Sequence, residues 1–164
     1  FRIKLAELNQ SKLGVKMIYY NIINDEKVFF ESDIIFANYE ATLANEKEQK
    51  EYFFKKAKQS KFAEIKTKRD EALNKNITFD GKVYKGTENA RTLFFARFNL
   101  NKFPLEWRLA DDITWVSLDT TKATGLATAF LNDSSSTYQK ETTFLISLEN
   151  AKTIDDINKI IVNY

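Results

Sequence analysis

Asp111 and Asp112 stand side by side in "LADDITW", two carboxylates that could hold a cation or move a proton. Adjacent acids between two β-prone runs more often serve as solvated turn residues, because aspartate hydrogen-bonds its own backbone and tolerates turn geometry. An oxygen-ligated cation needs more donors than this run supplies. Carboxylates from distant positions can pair for glycoside hydrolysis, but nothing in the residue order favours such a pair. The chain contains no histidine and no cysteine. That excludes a disulfide framework, a cysteine nucleophile, a Ser-His-Asp triad and a metal held by imidazole or thiolate. Remaining chemistry would rest on carboxylates, lysine, tyrosine or an oxygen-ligated metal. We expect no catalytic residue, no cofactor and no metal site, and read the chain as a non-enzyme.

Residues suited to binding are more numerous. The cations from Lys47 to Arg69 are interleaved with Tyr52, Phe53, Phe54 and Phe62, a composition that suits a nucleic-acid face. However, Glu46, Glu48, Glu51, Glu64, Asp70 and Glu71 are interspersed. A solvated helix with i,i+4 ion pairs is the better reading, and nucleic acid is a disfavoured partner. Arg91 stands near a helix start and could take an anion, although a salt bridge or carbonyl contact is the commoner use of such a guanidinium. Trp107 and Trp115 alternate onto opposite faces of one hairpin. Two core tryptophans are the simpler expectation. If one is exposed, it becomes a candidate anchor for a protein or glycan partner.

The elements that position these residues can be read in order. The chain has 164 residues, enough for one domain or one domain with a small appendage. Its formal net charge of +2 argues neither for nor against nucleic acid. No apolar run approaches the roughly 18 residues of a membrane span, so no membrane is expected as partner. The sequence opens on Phe1, as a fragment or processed chain would. Its only methionine, Met17, is either a natural start or an ordinary internal residue. Residues 1–16 contain Ile3, Leu5, Leu8 and Leu13 before Gly14, a short helix or strand. "MIYYNII" and "KVFFES" predict a hairpin turning at Asn24-Asp25.

Residues 40–75 lack glycine and proline and predict one long helix over 46–74. Its apolar stripe, including Phe54, Phe62 and Ile65, is narrow. At about 1.5 Å per residue such a helix outruns a compact core, so these three are candidate partner-binding residues. Asp80-Gly81 predicts a type I′ turn pairing Ile77 with Tyr84 and Phe79 with Lys82. Thr87 caps a helix over 88–99 that buries Ala90, Leu93, Phe94 and Phe98; Pro104 blocks its continuation. A second hairpin turns at Asp111-Asp112. Asp119 or Thr120 caps a helix over 121–149 with the stripe Ala123, Leu126, Ala127, Phe130, Leu131, Tyr138, Leu145 and Leu148. "SSST" at 134–137 is a poor helix centre and a candidate kink. Thr153 and Asp156 form a capping box before a last helix carrying Ile157, Ile160 and Ile161.

The order "KRDEALNKNITFDGKVYKGTENAR", then "WRLADDITWVSLD", then "LENAKTIDDINKI" resembles a family of bacterial and phage domains of unknown function over residues 66–161. Its motifs are an R-D-x-x-L helix end, a strand with D-G or N-G, an arginine at a helix start, a tryptophan, a D-N or D-D turn and a paired last helix. The chain departs from that pattern in its phenylalanine-rich "RTLFFARF" and in Asp-Asp where Asp-Asn is frequent. The family is found in phage and prophage tail-fibre gene regions, some members following a domain like that of tail-fibre assembly chaperones.

The expected fold class is α+β, with small antiparallel hairpins packed with long helices. Residues 1–45 form an amino-terminal β-rich segment, 46–75 a connecting helix and 76–164 a carboxy-terminal α+β domain. The resemblance implies a non-enzymatic phage or prophage tail-associated protein that assists tail-fibre assembly or belongs to the fibre apparatus. It would act in the bacterial cytoplasm during assembly or within the virion. Its partner would be a tail-fibre protein or, through the 46–74 helix, a second copy of itself as a homo-oligomer. The alternative is a receptor- or glycan-binding module displayed on the virion. A carboxylate hydrolase ranks below both.

Overall fold

In the computed structural model, which describes residues 17–23, 26–32 and 42–164, the chain divides into two units, Phe1–Gln59 and Ser60–Tyr164. In the first, β-branched and aromatic runs form β1 (Met17–Ile23) and β2 (Glu26–Ser32), paired antiparallel from Met17↔Ser32 to Ile23↔Glu26. A short β3 (Thr42–Leu43), not anticipated in the sequence, adds to β1 and completes the order β2-β1-β3. The element expected in residues 1–16 and the turn at Asn24-Asp25 lie outside the described residues.

The helix α1 (Glu46–Leu73) starts at a reciprocal cap. The Glu48 N–H donates to Asn45 Oδ1 at 3.0 Å, and the Asn45 N–H donates to Glu48 Oε2 at 2.9 Å. Lys27 pairs with Glu48 and Lys56 with Glu31, while Phe29 stacks towards Tyr52. Those two pairs join the strands to the helix, whereas Lys50–Glu46 at 2.6 Å and Lys68–Glu64 at 3.4 Å are the i,i+4 pairs that the acid–base alternation predicts.

The second unit begins inside α1, at Ser60. Beyond α1 come β4 (Ile77–Phe79), β5 (Lys82–Tyr84), α2 (Glu88–Asn99), β6 (Leu105–Arg108), β7 (Trp115–Leu118), α3 (Thr120–Asn150) and α4 (Ile154–Asn158). The fold is α+β, with β4-β5 and β6-β7 as separate two-stranded antiparallel sheets. Asp80 and Gly81 adopt φ of 49° and 70°, as the type I′ turn requires. The register Ile77↔Tyr84, Thr78↔Val83 and Phe79↔Lys82 follows from it. Thr87 Oγ1 caps α2 through Ala90 N–H, Asp119 caps α3 through Lys122 N–H, and the Thr153–Asp156 box caps α4.

The core gathers Tyr84, Phe94, Leu105, Trp107, Val116, Leu118, Leu126 and Phe130. Phe94 sits at its centre, 5.3 Å from Trp107 edge-on and 5.4 Å from Phe130 by ring centroids. Several expectations need correction. Leu93 is exposed, because Phe94 and Arg91 take the buried face of α2. Leu131 and Tyr138 of α3 are exposed, whereas Thr137 and Glu141 are buried. The buried stripe runs Phe130, Thr137, Glu141, Leu148, a helical spacing indifferent to polarity. Finally, α3 continues through "SSST" because Ser134 is bonded from outside: Arg91 Nη1 donates to its Oγ at 2.7 Å. The last helix ends at Asn158, so Ile160 and Ile161 lie beyond it; Ile157 and Val162 are buried and Ile161 is exposed.

Candidate partner-binding groove

Strand alternation decides the fate of the two tryptophans. In β6, Leu105 and Trp107 point inwards; in β7, Val116 and Leu118 do. The register pairs Trp107 with Val116 and Arg108 with Trp115. Trp107 is therefore in the core at 6% exposure, and Trp115 lies outside at 59%. On α2, Asn89, Leu93 and Arg97 follow i,i+4 spacing, which stacks them on one face. These two elements flank a groove of about 580 Å³ whose lining includes Leu93, Arg97, Trp107, Arg108 and Trp115. Asn76, Lys85, Thr87 and Asn89 supply polar groups at its margin.

Asp111 and Asp112 have different jobs in the adjoining loop. Asp111 Oδ1 accepts from the N–H groups of Ile113 at 3.0 Å and Thr114 at 2.9 Å, and Oδ2 accepts from Thr114 Oγ1 at 2.6 Å. The Thr114 hydroxyl and these amides hold its carboxyl below the usual aspartate range. Asp112, at φ 63°, accepts from Lys85 Nζ at 2.5 Å and lies 3.1 Å from Arg108. The Lys85 hydrogen bond lowers its carboxyl likewise. Both are turn residues; among the described residues, no group of three acids is placed to hold a metal ion. Arg97 Nη1 reaches Glu106 O at 3.3 Å and its guanidinium lies 5.9 Å from the Trp107 ring centre.

Arg91 lies elsewhere, between segments. Nε donates to Gly86 O at 2.7 Å. Nη1 donates to Phe130 O at 3.0 Å and to Ser134 Oγ; Nη2 donates to Leu73 O at 3.1 Å and to Asp133 Oδ2 at 2.6 Å. A guanidinium has five N–H donors, and all are taken internally. It borders a second cleft of about 720 Å³ beside Phe95 and Tyr138, yet offers no donor there.

The six residues singled out in the sequence do not converge. Phe54 is half-buried under Lys58, Phe62 is exposed beside Lys66, and Ile65 is fully buried. Ile65 thus needs no second copy to cover it. Only Trp107 and Trp115 meet in the groove. Leu93 was legible only as a core position, and Arg97, Arg108 and Lys85 carried no mark beyond their charge. The i,i+4 row Asn89, Leu93, Arg97 was the available sign of a shared face.

No helix among the described residues is long and apolar enough to cross a membrane. No curated protein and no solved structure matches the chain. A family model does match, over residues 56–161, most of the chain and nearly the whole second unit. The chain belongs to the family described as Domain of unknown function (DUF4376).

Proposed function

We propose that this chain is a non-enzymatic, protein-binding component of phage or prophage tails that assists tail-fibre assembly or forms part of the fibre apparatus. One observation carries the binding role. An exposed tryptophan shares a groove with two arginines, residue types that dominate interface energetics, and an exposed leucine adds apolar area beside them. The tail-fibre setting rests on the resemblance of the motif order described above. The test is co-expression of the tagged chain with the fibre protein encoded beside it. Stable co-purification is the expected outcome. Its absence from purified particles then marks an assembly factor acting in the host cytoplasm, and its presence marks a virion component. Failure to capture any fibre protein would count against the proposal.

A second reading has a specific observation behind it. Trp115 lines the same groove as Asn76 and Asn89, and an aromatic face in a pocket with side-chain amides also suits a sugar ring. Binding to cell-wall glycans without binding to fibre protein would favour this receptor-binding module.

A further inference from the structure

We infer that the Trp115 groove takes an acidic peptide segment carrying one apolar anchor side chain. This deepens the protein-binding reading above and rests on it. Three lining residues are cations, Lys85, Arg97 and Arg108, and no lining residue is a carboxylate. Glu106 shares the outer face of β6 but does not line the groove. Asp112 already occupies the space between Lys85 and Arg108, at 2.5 and 3.1 Å. It shows the position that a carboxylate takes against those two cations. Arg97 is different. Its only bonded acceptor among the described residues is the Glu106 carbonyl at 3.3 Å, and it forms no ion pair there. A guanidinium over an aromatic ring, with most of its donors unspent, is a ready carboxylate receptor.

The apolar part has a matching place. Leu93 is 52% exposed and Trp115 59% exposed, and both line the same groove. A buried anchor of leucine or phenylalanine size would cover both, while a flanking acid meets Arg97, the lining cation that no carboxylate already pairs. The volume of about 580 Å³ suits a short peptide stretch. A phosphate polymer fits less well. Asp112 offsets part of the local positive charge, and the groove floor is apolar.

The experiment uses the full chain and the acetylated, amidated peptide Glu-Asp-Leu-Asp-Glu, followed by calorimetry and tryptophan fluorescence. Its counterparts are Gln-Asn-Leu-Asn-Gln, Lys-Arg-Leu-Arg-Lys, chitotriose and oligo-dT. The acidic peptide should bind, and more weakly as salt rises. Trp115→Ala and Arg97→Glu should each weaken it by at least about tenfold. Both side chains are exposed, and unchanged circular dichroism verifies folding. Leu93→Ser supplies a third variant from another element. Undetectable binding of the acidic peptide would overturn the inference. So would equal binding of the neutral or basic peptide, preference for chitotriose or oligo-dT, or indifference to all three substitutions. Capture of fibre protein that survives Trp115→Ala overturns the groove assignment and leaves the assembly reading standing. Acidic-peptide binding without fibre capture does the reverse.

Discussion

Arg91 joins segments that are far apart in sequence. Its partners lie 5, 18, 39, 42 and 43 residues away. A carbonyl that ends α1, the exit of a hairpin and the middle of α3 all meet one rigid fork. Lysine keeps the charge but has no planar fork, so Arg91→Lys should strand at least two carbonyls and lower stability by about 2–3 kcal/mol. Urea unfolding that matches the parent would show that these bonds contribute nothing net. The sequence marked Arg91 as special but could not name its partners, because no local pattern encodes contacts across such separations. Acid should reveal a second set of residues. Thr114, Lys85 and Thr153 hold the carboxyls of Asp111, Asp112 and Asp156 below their usual range. A carboxyl depressed in the folded state stabilises above its unfolded pKa and loses that contribution as pH falls through its folded value. Stability should thus be flat from pH 7 down to about 5 and fall below about 4. Thermal melts across that range test it; a decline already complete by about pH 5 would implicate other groups.

Elements coded by adjacent residues were legible, and elements coded by distant ones were less so. The Asp80-Gly81 turn, three helix caps and the bounds of α1 and α2 follow from neighbours within four positions. The burial of α3 does not. Its buried Glu141 accepts from Lys66 at 2.6 Å and Arg69 at 2.8 Å, both on α1, so a charged residue takes an inward position that a leucine would be expected to hold. The glycines give a graded test. Gly81 needs only its positive φ, since a Cβ there meets open space; Gly81→Val should cost about 1–3 kcal/mol through backbone strain. A Cβ on Gly86 would fall 1.6 Å from the carbonyl oxygen of Lys75. Even Gly86→Ala must therefore push two backbones apart, and should lower the melting temperature further than Gly81→Val. The reverse order would show that the Lys75 carbonyl can move away at little cost. The tryptophans give a third test of element geometry, because alternation in β6 and β7 leaves one indole inside and one outside. Acrylamide should quench about half of the native emission, and Trp115→Phe should leave only a protected, blue-shifted Trp107. Full quenching of that variant would contradict the register.

At the scale of the molecule, the question is where an independent unit can be cut. The sequence places a boundary at residue 76, after a run without glycine or proline that reads as one long helix. The second compact unit starts earlier along the chain, at Ser60. Ile65 on α1 is fully buried, Tyr164 Oη donates to its carbonyl at 3.1 Å, and Lys68 Nζ donates to Val162 O at 3.0 Å. Leu73 O accepts from Arg91, and Lys66 and Arg69 both meet the buried Glu141. A cut at residue 76 removes all of these at once. Loss of one buried isoleucine costs about 2 kcal/mol, and a buried carboxylate stripped of its cations about 3–5 kcal/mol. Together they are comparable to the whole stability of a small domain, about 5–15 kcal/mol. A fragment of residues 56–164, which keeps the family match and the second unit whole, should melt cooperatively. A fragment of residues 76–164 should show a shallow transition and bind a hydrophobic dye. Phe62→Asp in the longer fragment separates folding from association, because Phe62 is 47% exposed and its loss leaves the core intact. That variant should melt like the parent fragment. In sedimentation of the full chain, it should dissociate any assembly that uses this helix face. A cooperative 76–164 fragment as stable as the longer one would return the boundary to residue 76 and reduce the α1 contacts to decoration.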